Sequence, residues 1–200
     1  MNVFFQGFML GLAYVMPIGM QNLYVINTAI SKSRLRAIEV ALITIFFDIA
    51  LALSCYFGIG ILLEKIPVLK IITLGIGSIA VIFIGFMLFK SKHEKEDKLD
   101  LNKSLWQIVL TCFAVTWLNP QAIIDGTLLL SGFRAILSGQ NVIYFIIGVS
   151  AASFTWFMSL SIFISKFKNS FSSNLINIIN KVCGIILIGF GIKLALNFFA

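Results

Sequence analysis

Six stretches of the chain are nearly free of charged side chains: about 4–28, 38–62, 68–89, 105–130, 141–165 and 175–199. About 20 apolar residues cross the hydrocarbon of a bilayer as a helix. The runs are far longer than barrel strands and lack their strict alternation, so the pattern predicts helices rather than a transmembrane barrel. The polar positions collect in short segments between the runs, and almost nothing is left over for an aqueous domain. The fold class this predicts is an all-α integral membrane protein of six transmembrane helices.

Composition agrees. The chain is 60% hydrophobic and 12% charged, with a mean hydropathy of +1.03, against about 45–50% apolar and about 25% charged in soluble domains. A net charge of +7 would suit nucleic acid if it were clustered, but the basic residues are scattered over short loops, which argues against such a partner. Their distribution reports orientation instead. Lys32, Arg34, Arg36, Lys90, Lys92, Lys95, Lys98, Lys103, Lys166 and Lys168 fall between spans 1–2, 3–4 and 5–6; Lys65, Lys70 and Arg134 fall on the other side. Ten against three predicts the odd-numbered loops in the cytoplasm and both termini outside. Lys181 and Lys193 lie near the ends of the last span, where a long stem lets the ammonium reach the interface. The first apolar run is too long for a signal peptide and has no basic residue ahead of it. Cys55, Cys112 and Cys183 lie in three different spans without a Cys-x-x-Cys motif, so they read as small packing residues rather than a redox relay.

The segment 90–103, mixed in charge and holding the single histidine, His93, reads as a cytoplasmic linker between repeat one (1–89) and repeat two (104–200) of a single transporter domain. The halves echo each other at an offset of about 103 residues. Pro17 is followed five residues on by Asn22, and Pro120 five residues on by Asp125; Ile84-Gly85-Phe86 is matched by Ile188-Gly189-Phe190. An odd number of spans per repeat inverts the second copy, which predicts two inverted three-helix repeats with a site at their interface. Asp48 has no counterpart, since the offset carries it onto Ala151 or Ala152. Gly7 and Gly11 form a small-xxx-small pair suited to close helix packing.

The candidate chemistry sits inside the apolar runs. In Pro17-Ile18-Gly19-Met20-Gln21-Asn22 the proline removes a backbone donor and clashes one turn back. Gly19 loosens the same turn, and a half-helix starting there would aim its positive N-terminus into the membrane. The plainer reading is a proline kink with Gln21 and Asn22 bonded between helices. Trp117-Leu118-Asn119-Pro120-Gln121-Ala122-Ile123-Ile124-Asp125 repeats the device, with Gln121 and Asp125 on one helical face and Asn119 biased away from helix by the proline after it. Asp125 could instead pair with Arg134 near the outer surface. Asp48 falls near mid-span on a stripe of Thr44, Asp48, Ala52 and Cys55, far from any basic residue. An ionised Asp there costs about 2.5–3.5 kcal/mol on insertion scales, which makes a functional role the default reading. Ser150, Ser153, Thr155, Trp156 and Ser159 of the fifth span either line a path or bond across helices.

On these residues the chain resembles the lysine exporter family of bacterial amino-acid exporters, and most of all its basic amino-acid branch. The likeness covers Gly7 to Leu12, the Pro-x-Gly-x-Gln-Asn run, Val25-Ile26-Asn27, Asp48, Thr116 to Pro120 with Asp125, and Ala152 to Phe157. The family's usual Pro-x-Gly-Pro has Met20 in place of its second proline. The resemblance implies six spans in the bacterial cytoplasmic membrane and export of an amino acid driven by an ion gradient. It also implies that Asp48 and Asp125 are functional.

The residues suggest how. The α-carboxylate would dock on the amide-rich breaks at Gln21, Asn22, Asn119 and Gln121, with Pro17, Gly19 and Pro120 as gating positions. Asp48 or Asp125 would meet the cationic end. Moving one positive charge outward against an inside-negative potential costs about 2.3 kcal/mol per 100 mV, so export needs a coupling ion, most simply a proton, with Asp48 as its carrier. No cofactor, metal or catalytic residue is called for. The rivals are export of a neutral amino acid or a cation, an uncoupled channel, and an intramembrane aspartyl protease. The last needs paired carboxylates, and the Gly-x-Gly-Asp signature is absent.

Overall fold

A computed structural model describes residues 2–17, 19–58, 65–90, 104–134, 137–167 and 173–199. Helices dominate the described residues: α1 (Val3–Val15), α2 (Met20–Ser31), α3 (Arg34–Phe57), α4 (Pro67–Lys90), α5 (Leu105–Trp117), α6 (Pro120–Arg134), α7 (Gln140–Phe167) and α8 (Ser173–Phe199). The linker expected at 90–103, His93 included, lies outside the described residues except for Lys90.

Local chemistry explains the helix ends. The side chains of Asn2, Ser33 and Ser104 accept from backbone N–H groups in the first turns of α1, α3 and α5, the usual work of an N-cap. Gly58, at φ 100°, ends α3 in the left-handed conformation that glycine adopts without strain. The two stretches carrying internal prolines are not single helices. The first divides into α1 and α2, bent by 78°. The second divides into α5 and α6 at Leu118 and Asn119. Pro120 stands at the first position of α6, where a missing N–H costs nothing.

Among the described residues, two unbroken helices, α3 with 24 residues and α7 with 28, are long and apolar enough to cross a membrane on their own; α1 with α2 qualifies as a bent pair. Large apolar side chains such as Phe46, Ile79, Leu128 and Phe163 point out of the bundle, as suits a surface meeting lipid.

Contacts fix the relative directions of the packed helices. Gly7 lies against Phe145, and Gly11 against Val149 and Ala152, so α1 and α7 run parallel. The small-xxx-small pair thus does what its spacing predicts. Cys112 sits by Val40 and Thr44, and Trp117 by Phe47, so α3 and α5 are parallel too. Tyr56 meets Phe145 while Asp48 neighbours Ser153, making α3 and α7 antiparallel. Gly85 lies against Gly184 and Ile188, and Gly184 against Phe89, making α4 and α8 antiparallel. The matched glycines of the two halves are not equivalent here. Gly85 is in tight contact with α8, whereas a Cβ on Gly189 would meet nothing within 4 Å; equal spacing in sequence did not carry over to equal packing.

The α4–α8 pair docks beside both breaks. Ile84 and Cys183 pack with Met20 and Leu23 at the start of α2 and with Ala114 and Val115 near the end of α5. Two further apolar clusters, one around Leu51, Tyr56 and Phe145 and the other around Val25, Val40 and Phe157, flank α3 above and below its midpoint. Asp48 lies between them.

Candidate functional site

Asp48 is 1% exposed, placed mid-helix on a face it shares with Thr44, Ala52 and Cys55, all buried, while Phe46 points outward. The narrow small-and-polar stripe therefore does face inward. The Gln21 Nε2 amide donates to Asp48 Oδ1 at 3.3 Å and to Thr116 Oγ1 at 2.9 Å. One side chain from the first turn of α2 thus ties α3 to the end of α5. The Ser153 hydroxyl neighbours Asp48, but neither Ser153 Oγ nor Asp48 Oδ2 has a hydrogen-bond partner. A buried carboxylate with half its acceptor capacity unused is costly unless a cation or a proton joins it.

Asn22 is placed differently from its sequence reading as a substrate contact. Its Nδ2 donates to the carbonyls of Val15 at 2.9 Å and Pro17 at 2.7 Å, and its Oδ1 accepts from Trp156 Nε1 at 2.8 Å. These are carbonyls that the break leaves without helical partners, so this amide closes the end of α1 and α7's indole fixes it there. Gln21, by contrast, faces the carboxylate. Gly19 precedes α2 in extended backbone (φ −122°, ψ −168°) with no side-chain cap, a conformation open to other residues. The first N–H groups of α2 point toward the break, as a positive helix end.

Asn119 accepts from the Ile123 N–H through its backbone carbonyl at 3.3 Å and is half-buried. The side chains of Pro120, Gln121 and Arg134, and with them the expected pairing of Asp125 with Arg134, lie outside the described residues. Asp125 is exposed on α6. The Tyr14 hydroxyl donates to the Ala122 carbonyl at 3.4 Å.

Of the five polar residues singled out on the fifth span, Ser153 turns inward, Trp156 and Ser150 are half-buried, and Thr155 and Ser159 point away from the bundle. Thr116, fully buried, was not among the sequence candidates for the site. Its signals were a hydroxyl one turn ahead of a proline break and a place in the Thr116-to-Pro120 run that carries the family likeness.

A half-helix end, an enclosed carboxylate with a free oxygen and the Gln21 amide form a polar centre of the kind that transporters build within a membrane. The profile of the LysE type translocator family matches residues 12–197, and the chain belongs to that family. It is a multi-pass membrane protein. It is 30% identical to the arginine exporter protein ArgO of Serratia proteamaculans over 198 residues, 96% of each chain. It is 31% identical to that of Pectobacterium carotovorum over 199 residues, again 96% of each. It is 32% identical to that of Escherichia coli K12 over 166 residues, 80% of this chain and 77% of the other. No solved structure matches the chain.

Proposed function

We propose that the protein exports basic amino acids, arginine or lysine, across the bacterial cytoplasmic membrane by exchange for an inward proton. Asp48, with one oxygen buried and unpartnered, is the observation that carries the reading. Relatives of nearly equal length bear the name arginine exporter. The cationic end of the substrate pairs with Asp48. Gln21 holds the other oxygen and swings toward Thr116 as the substrate enters. The α-carboxylate meets the positive end of α2 and the amides at Asn119 and Gln121. Asn22 keeps the break in shape, and Asp125 is the second acid that the cation meets. Pro17, Gly19 and Pro120 are where the helices flex.

The mechanism calls for six alternating spans arranged as two inverted repeats. The directions of the packed pairs fit that plan: α1 with α7 and α3 with α5 are parallel, α3 with α7 and α4 with α8 antiparallel. Asp48 is closed off, so access requires the helices to part on one side at a time. Substrate and proton compete for one carboxylate, and that competition is the logic of antiport. An uncoupled path would let an inside-negative potential of 100 mV draw the cation in with about 2.3 kcal/mol.

The test loads expressing cells with dipeptides and measures release of each free amino acid. Arginine and lysine should leave faster than from control cells, with release slowed when the proton gradient is collapsed and lost in Asp48→Asn. Selective release of a neutral amino acid would overturn the basic-substrate reading. Undiminished efflux from Asp48→Asn would overturn the site.

A further inference from the structure

Hydroxyls on helices normally bond back to a carbonyl one turn earlier, and this molecule follows the habit. Thr28 donates to Tyr24, Ser54 to Ala50, Thr111 to Gln107 and Ser78 to Gly75, at 2.8–2.9 Å. Thr127, Ser153 and Ser161 do not, although each has the same option. Together with Tyr56 Oη and Asp48 Oδ2 they are the buried side-chain oxygens without partners among the described residues. All are nine-tenths or more buried. All stand on α3, α6 and α7.

Their positions along the helices form a series. Asp48 and Ser153 are level with each other. Tyr56 lies eight residues beyond Asp48 on α3, and Ser161 eight beyond Ser153 on α7. Because α3 and α7 are antiparallel, these displacements run in opposite directions. At 1.5 Å per residue each is about 12 Å, so the series covers about 24 Å of a hydrocarbon core about 30 Å thick. Thr127 joins the Tyr56 end, since it lies beside Cys55. A shallow apolar cleft lined by Ile49, Ala52, Tyr56, Leu130, Phe145 and Val149 lies on the same seam.

We infer that the route through the bundle runs along the α3–α7 seam, with Tyr56 and Thr127 lining one half, Ser161 the other, and Asp48 with Ser153 between them. The hydroxyls left idle in the closed bundle find partners in water and in the hydrogen-bonding groups of the solute when the seam parts. The inference rests on the transport reading above, and identifies where the solute passes rather than what it is.

Two measurements test it. In a background of Cys55→Ala, Cys112→Ala and Cys183→Ala, single substitutions Thr127→Cys and Ser161→Cys are exposed to a membrane-impermeant methanethiosulfonate reagent in right-side-out and inside-out vesicles. Thr127→Cys should react from one face and Ser161→Cys from the opposite face, with Thr155→Cys and Ser159→Cys, on the outward side of α7, unreactive. That pattern without any arginine efflux would support the seam and overturn the exporter reading. Arginine efflux with both seam positions unreactive would do the reverse. Separately, Tyr56→Phe, Thr127→Val and Ser161→Ala each delete an idle hydroxyl. Each variant should melt no lower than the parent while arginine efflux falls several-fold, a combination that a structural hydroxyl would not produce. Unchanged efflux in all three would overturn the inference.

Discussion

The two proline breaks are the same device put to different uses. At the first, three groups are satisfied by one residue: Asn22 binds the carbonyls of Val15 and Pro17 and the indole of Trp156. Its neighbour Gln21 reaches Asp48 and Thr116. The second break has Asp125 where the offset would place Asn22, and that acid is exposed. Trp117, at the end of α5, donates to the Phe47 carbonyl at 3.3 Å instead of to its own break. A break sewn into the bundle can hold a charged ligand at fixed geometry. Their sequences look alike, but among the described residues it is at the first break that a side-chain amide closes the broken helix end.

The largest effect should separate the two acids. A lost contact to a buried charge of about 3 kcal/mol is about a hundredfold, and Asp48→Asn should lower arginine efflux from loaded proteoliposomes by that much. Asp125→Asn should lower it less than about tenfold, as expected of a weaker, exposed contact. Equal losses would erase the distinction. Next comes stability. Asn22→Ala leaves two carbonyls and an indole N–H without partners, which should cost about 3 kcal/mol in detergent unfolding, while Asn119→Ala should cost under about 1 kcal/mol. The glycines should invert the sequence's emphasis. A Cβ on Gly126 would meet Cys55 Sγ at 2.9 Å and the Tyr14 ring at 3.1 Å, whereas on Gly19 the nearest atom is 4.0 Å away. Gly126→Ala should therefore cost about 2 kcal/mol and Gly19→Ala within about 0.5 kcal/mol; a severe melting-temperature loss in Gly19→Ala would show that the first break needs glycine. Trp117→Phe gives up one hydrogen bond between α5 and α3 and should lower stability by about 1 kcal/mol without changing the substrate preference of efflux.

Residue order alone was enough for the apolar helices, for both interruptions and for noticing Asp48 as an acid inside an apolar helix. Hydrocarbon cannot solvate a backbone, so length and composition dictate helices; proline cannot donate, so its position dictates a break; and an acid far from any base is expensive enough to be noticed. What the chain order could not supply is which face of each helix turns inward. In lipid both faces tolerate apolar residues, so the amphipathic signal that marks a core in water is muted. Thr155 and Ser159 looked as good as Ser153 until α7 was packed against α3, and Asn22 looked as free as Gln21 until its amide met Val15, Pro17 and Trp156. The convergence of α2, α3, α5 and α7 on one carboxylate, and the row of idle hydroxyls running from it in both directions, arise from helices distant in sequence that meet only when the bundle closes.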